Sequence, residues 1–240
     1  MDSERVFLAA EWRHLAMLNY EADRGLLLKL VPRGTELDSW NGKVLVSLVG
    51  FRFLKTRVLG VPVPFHANFD EVNLRFYVRR VEGREVRRGV VFVREIVPRR
   101  VIAFIARNVY NENYVAMPMT HEIAANGQGT TAVSYRWRTP RGWSRIALEA
   151  EGDPQPLSAG SEEEFITEHY WGYAAQRDGG TVEYRVTHPS WRVWTPRRAE
   201  FAGDVEELYG RELAAVLRGT PASAFLAEGS AVSVMRGRTL

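Results

Sequence analysis

His66-Ala-Asn-Phe-Asp-Glu-Val-Asn-Leu-Arg-Phe-Tyr-Val-Arg79 reads as a strand with two unlike faces. A pleated strand sends alternate side chains to opposite sides. Glu71, Asn73, Arg75, Tyr77 and Arg79 therefore share one face, and Val72, Leu74, Phe76 and Val78 the other. The apolar face requires a core. The polar face sets an acid, an amide and a guanidinium at two-residue steps of about 6.6 Å, close enough to act on one small ligand or to pair with each other. Two readings stand open: the wall of a pocket, or the face that an antiparallel sheet turns to water.

The flanking sequence supplies partners for this strand. Glu82-Gly83 makes a turn, and residues 89–96, with their Val-Val-Phe-Val centre, return antiparallel as a hairpin. Upstream, Gly60-Val-Pro-Val-Pro64 is an extended connector. It follows residues 44–53, whose β-branched and aromatic content favours a buried strand. Residues 13–20 form a first strand with Leu15, Met17 and Asn19 on one side, and Asp23 caps a helix over 24–30 that Pro32 ends.

Downstream, Val101, Ile102, Ile105 and Val109 recur at helical spacing, which predicts a helix over 99–110. Strands follow at 115–124, 130–137 and 146–151, punctuated by Asn126-Gly127 and Pro140-Arg-Gly142. Ser161-Glu-Glu-Glu164 is a capping box opening a short helix toward Tyr173, and Gly179-Gly180 turns into a strand at 181–186. Asp204-Val-Glu-Glu207 caps a further helix with Leu208, Tyr209, Leu213, Val216 and Leu217 on one stripe, before a last strand at 231–235. Around nine strands with three or four helices, mostly hairpin-linked, give an α+β fold on a large antiparallel sheet, open or closed as a barrel.

No Pro/Gly/Ser-rich linker divides the 240 residues, so residues 1–240 are read as a single domain. With 45% apolar residues the chain has material for a core and for a wide cavity. The absence of cysteine excludes disulfides, thiolate nucleophiles and cysteine-ligated metal. The N-terminus lacks the basic-then-apolar order of a signal peptide, and no apolar run approaches the roughly 20 residues of a spanning helix, so a cytoplasmic protein without membrane contact is expected.

Arginine supplies 29 of the 32 basic residues, and residues 71–110 hold ten Arg against four Glu, a local excess of +6 within a net charge of +3. That invites a nucleic-acid reading. Against it, these arginines alternate with Val, Phe and Ile, and no basic run exceeds two residues. No nucleic-acid partner is expected.

Lys29, Lys43 and Lys55 are the only lysines, none in a context that would lower its pKa for Schiff-base chemistry. The histidines His14, His66, His121, His169 and His188 form no HxxxH or HxH pair, so neither a metal nor another cofactor is expected. Dinucleotide, P-loop and nucleophile-elbow motifs are missing. The aromatic segments His169-Tyr-Trp-Gly-Tyr173 and His188-Pro-Ser-Trp-Arg-Val-Trp194 fit either a core or a cavity wall.

Eight segments together resemble the DUF2071, or YqjF-like, family: Glu11-Trp-Arg13, Leu18-Asn-Tyr20, Leu30-Val-Pro32, Val46-Ser-Leu-Val-Gly-Phe51, His66 through Arg79, Arg94-Glu-Ile-Val-Pro98, Tyr110-Asn-Glu-Asn-Tyr114 and Thr167-Glu-His-Tyr-Trp-Gly-Tyr173. The resemblance spans nearly the whole chain. It implies the acetoacetate decarboxylase-like fold: a double-sheet β-barrel with a central cavity and a few peripheral helices. Set beside the decarboxylases, Arg13 falls ten residues before Asp23, as their pocket arginine precedes a similar segment, and Glu71 falls near a pocket glutamate. Their catalytic lysine pair would fall close to Asn111-Glu112-Asn113, where this chain has no lysine.

The resemblance implies a fold and a cavity, not an activity, and without that lysine pair a Schiff-base decarboxylase is not expected. The leading expectation is a small-molecule pocket protein with Arg13, His66, Asn73, Arg75, Asn111 and Glu112 as ligand-binding groups, and, in its enzyme version of non-imine, acid–base type, Glu71 as proton carrier. An organic acid or carbonyl compound suits an arginine that grips through paired hydrogen bonds. The competing expectation is a non-catalytic sensor or interaction module whose charges form only an internal ion-pair network.

Overall fold

The computed structural model describes residues 5–63, 67–98, 113–125 and 129–240. In chain order the elements are β1 (Val6–Glu21), α1 (Arg24–Leu28), β2 (Glu36–Leu37), β3 (Leu45–Val58), β4 (Val61–Pro62), β5 (Phe69–Glu82), β6 (Glu85–Val97), β7 (Tyr114–Ala116), β8 (Met119–Ala125), β9 (Thr130–Thr139), β10 (Gly142–Glu151), α2 (Glu162–Thr167), β11 (Trp171–Ala175), β12 (Thr181–Thr187), β13 (Val193–Trp194), β14 (Pro196–Ala202), α3 (Glu206–Leu217), β15 (Ser223–Met235) and β16 (Arg238–Thr239).

The larger sheet closes on itself. Its order β15-β1-β3-β5-β6-β11-β12 returns to β15 through Val186↔Val234 and Thr187↔Ser233, leaving no free edge round the ring. Pairings in the ring are antiparallel apart from β6 with β11. A second sheet, β14-β10-β9-β8, stacks outside β1, β3 and β5.

The two-faced pattern of the strands explains this layering. Leu18, Leu48, Leu74 and Phe76 point outward and pack with Val133, Tyr135 and Ile146 of the second sheet and with Leu213 and Leu217 of α3. Each such side chain, fully buried, stabilises by about 1.5–3 kcal/mol. The sheets approach most closely at Gly50, where a Cβ would lie 2.7 Å from Tyr135 Cδ2. The opposite faces of β1, β3 and β5 turn into the ring, with Met17, Val49, Phe51 and Tyr77 in a second core.

Four of the seven described arginines of the stripe are ion-paired. Arg79 meets Glu36 at 2.7 Å, Arg88 meets Asp38 at 2.7 Å, and Arg80, Arg87 and Arg238 converge on the fully buried Glu183 carboxylate at 3.3, 3.1 and 2.8 Å. Among the described residues, no helix is long and apolar enough to cross a membrane.

Several elements depart from expectation. More strands form than the nine expected, because β1, β3 and β15 extend well past their sequence signals and short strands pair at their ends. The single strand expected at 115–124 is two: Pro118, lacking an N–H, separates β7, parallel to β6, from β8 in the second sheet. Ser161 caps α2 through Glu164 N as expected, but the helix stops at Thr167, and Trp171–Ala175 is a strand, its aromatic residues being strand formers. Asp204 accepts from Glu206 N at 3.1 Å, yet Gly210, at φ 78° and ψ 165°, breaks α3 into two parts. The helix expected over 99–110 lies outside the described residues.

Candidate functional site

The polar face of β5 points into the ring, away from water. Glu71 and Asn73 are each 2% exposed, Arg75 8% and Tyr77 0%. Register sets Phe51 opposite Glu71, Val49 opposite Asn73 and Ser47 opposite Arg75 on β3, and Glu95 opposite Asn73 on β6. Asn73 Nδ2 donates to Glu71 Oε1 at 3.0 Å, and Tyr114 OH donates to Oε2 at 3.3 Å. Burial pushes the Glu71 carboxyl up to about 7, the bonds from Asn73 and Tyr114 and the Arg75 charge reversing only part of the effect. A carboxyl so poised can give or take a proton near neutral pH.

Arg75 has no comparable partner. Its Nη2 lies 3.9 Å from the Met17 sulfur, its guanidinium carbon 5.8 Å from the Tyr77 ring centre, and its Nε has no hydrogen-bond partner among the described residues. Among those residues no carboxylate comes within 4.0 Å of the guanidinium, the ion-pair limit met elsewhere in the chain. A buried cation is costly unless an anion or hydrogen-bond acceptors compensate it.

These side chains line a cavity of about 140 Å³, whose remaining wall is mainly apolar and aromatic, including Trp12, Phe53, Phe69 and Trp191. Thr167, the last residue of α2, and His169, just beyond it, reach the same cavity. His169 Nε2 stands 3.5 Å from Asp38 Oδ2, and the Asp38 carboxylate also accepts from Arg88 Nε at 2.7 Å. Burial pulls His169 below the ordinary histidine value, only partly offset by Asp38, so the ring is neutral at pH 7. Among the described residues no group of three or more His, Asp and Glu is arranged to hold a metal ion.

The structure brings Glu71, Asn73 and Arg75 together as the alternation implied. Arg13 is a correction: it lies outside the cavity, on the far face of β1. The cause is a bulge at His14, which adopts φ 56° next to the Arg13↔Gly229 pair and shifts the alternation by one residue. Strict alternation would have set Arg13 with Leu15 and Met17; instead its guanidinium bonds Glu11 Oε2 at 3.0 and 3.1 Å and Gly229 O at 3.1 Å. His66, Asn111 and Glu112 lie outside the described residues. Glu95, Tyr114, Thr167 and His169 line the cavity without having been singled out as ligand groups. Glu95 was detectable as the acid two residues before Val97 on the returning hairpin strand, but a second bulge beside Arg75 hides its phase.

A closed ring of strands around a mainly apolar cavity, polar at one end, defines the class: a double-sheet pocket protein of the acetoacetate decarboxylase-like fold. Acetoacetate decarboxylase from Legionella pneumophila aligns over 100% of this chain and 90% of its own with a TM-score of 0.69 at 11% identity. The enduracididine biosynthesis enzyme MppR, complexed with pyruvate, covers 97% and 89% at 0.66 and 12% identity. An acetoacetate decarboxylase-like enzyme from Sphingomonas wittichii RW1 covers 100% and 94% at 0.63 and 13% identity. At such identities the likeness is one of fold. The chain belongs to the DUF2071 family, described as an uncharacterized conserved protein, which it matches over residues 9–231. It is 27% identical over 190 residues to the uncharacterized protein YqjF of Bacillus subtilis (strain 168), covering 79% of this chain and 74% of that protein.

Proposed function

We propose that the ring cavity binds a small organic acid or carbonyl compound, with Arg75 gripping the carboxylate or carbonyl oxygen and Glu71 carrying a proton to or from the bound molecule. The observation behind this reading is the buried Arg75 guanidinium, without a carboxylate partner among the described residues, beside an acid poised near neutrality. Asn73 and Tyr114 hold the Glu71 carboxyl by both oxygens, fixing its position against the ligand. Imine catalysis is not part of the proposal. None of the chain's three lysines is among the lining residues, and Lys55, 77% exposed, pairs with Glu11. Pyruvate bound in MppR supports an acid of this kind as ligand.

A second reading, a ligand sensor without turnover, is favoured by the same two hydrogen bonds, which also satisfy Glu71 without any substrate. Turnover that depends on Glu71 would separate the two.

The test is a thermal-shift panel of keto acids, hydroxy acids and aldehydes on the wild type, Glu71→Gln and Arg75→Met. A ligand at a hundred times its dissociation constant adds about 2.7 kcal/mol, roughly 5–11 °C for a chain of this size. A shift abolished by Arg75→Met is the expected result. Equal shifts in wild type and Arg75→Met, or no shift with any compound, would sink the proposal.

A further inference from the structure

Along the ring interior the lining changes character in layers. Arg75, Ser47 and Asn19 share one level, and two-residue steps lead through Asn73 and Val49 to Glu71 and Phe51, then to Phe69, Phe53 and Trp12. Below Arg75 the interior is closed by a satisfied polar chain. Ser47 Oγ lies 2.6 Å from Tyr77 OH and donates to Asn19 Oδ1 at 2.6 Å, and Asn19 Nδ2 donates to Ser223 Oγ at 2.9 Å. A head group held at Arg75 therefore goes no deeper.

Beyond Glu71 in the other direction the wall is aromatic. Phe53 stacks on Phe69 at 4.5 Å, and Trp12 meets Phe51, Phe53 and Trp191 edge-on at 5.4, 5.7 and 6.4 Å. Leu8 and Val58, paired in register, continue the lining. The polar groups of the described lining at this end are few: Tyr184, packed with Leu8 and Trp12, His188, the Thr56 hydroxyl and the Trp12 indole N–H. His188 is the histidine among them. It stacks on Trp191 at 4.2 Å, with Nδ1 2.9 Å from Pro189 O. A charged or polyhydroxylated tail would lose its hydration here and find few partners. An apolar tail would gain.

We propose that the ligand is an apolar-tailed monocarboxylic acid of about six carbons in all, its carboxylate on Arg75 and its tail running past Val49 to Phe51, at the near end of the aromatic wall. The length follows from the cavity of about 140 Å³, since an apolar cavity of roughly this size holds a benzene ring. This rests on the reading that Arg75 takes the head group, and adds the identity of the rest of the molecule.

The experiment is isothermal titration of the wild type with the straight-chain monocarboxylates from acetate to decanoate, with pyruvate, and with the dicarboxylate adipate, then of Arg75→Met with hexanoate and hexanol. Affinity should rise about threefold to fourfold for each methylene buried. The rise should stop near hexanoate, where the cavity is full. Adipate should bind at least tenfold more weakly than hexanoate, and Arg75→Met should lose hexanoate while its affinity for hexanol stays within twofold of the wild type's. Acetate or pyruvate binding as tightly as hexanoate would overturn the tail while leaving the head-group reading intact. Failure of every carboxylate, or hexanoate binding unaltered by Arg75→Met, would overturn both.

Discussion

Replacing Glu71 with glutamine should flatten the pH dependence of stability between pH 4.5 and about 8. On folding, burial raises the carboxyl from its ordinary 4.5 to about 7. Over that interval the native state binds more protons than the unfolded chain. The stabilising contribution is thus fully present below pH 4.5 and is lost as pH rises through about 7. At about 1.4 kcal/mol per tenfold change in proton affinity, the loss is about 3 kcal/mol, or roughly 6–12 °C for a chain of this size. His14, His169 and His188, each pulled below 6.5 by burial, act in the opposite sense, lowering stability as pH falls. Both proteins carry them, so the difference between wild type and variant removes their contribution. Glutamine leaves an extra buried N–H, a pH-independent offset of about 1–3 kcal/mol. Urea unfolding of both proteins across the range measures the effect. Parallel stability curves would refute the reasoning, because they would mean that Glu71 titrates alike in the folded and unfolded chain.

Three other substitutions probe the frame around the site. Gly50→Ala forces a Cβ to within 2.7 Å of Tyr135 and 3.0 Å of Ile146 between the sheets; it should cost about 1–3 kcal/mol, seen as a lower urea midpoint at unchanged slope. Glu183→Gln strips three arginines of their shared carboxylate. It should cost about 3–5 kcal/mol, toward the lower end because Arg238 is half-exposed, with thermal unfolding as the readout. Arg13→Ala should leave the affinity for any cavity ligand within about twofold, and a tenfold loss by titration calorimetry would return Arg13 to the site.

The two-faced reading of β5 was legible because alternation is a backbone property: Val72, Leu74, Phe76 and Val78 could only be placed in a core. Where their polar counterparts pointed was not legible, since a solvated sheet face and the inside of a ring carry the same alternation. Ring closure depends on Val186 meeting Val234, residues far apart in sequence with no local signal of pairing. Arg13 was misplaced for the same kind of reason. A bulge is a one-residue event in which His14 takes a left-handed conformation within β1, and no periodicity predicts it. Tyr114 and His169 reach the cavity from outside the strands that define it, so their roles follow from tertiary packing alone.

The chain also contains an internal standard for what a structural ion network looks like. Glu183 is as buried as Glu71, but Arg80, Arg87, Arg238 and Tyr173 surround it, and although burial pushes its pKa up, Arg238 and Arg87 more than reverse the effect. There the charged, paired state wins. At Glu71 the balance runs the other way: burial wins, the carboxyl rises to about 7, and Arg75 beside it makes no ion pair with a described residue. A fold that satisfies one buried carboxylate with three arginines leaves the Arg75 guanidinium in its cavity without a carboxylate partner among the described residues. Such a desolvated charge costs stability, and under the proposed function a bound anion would offset that cost.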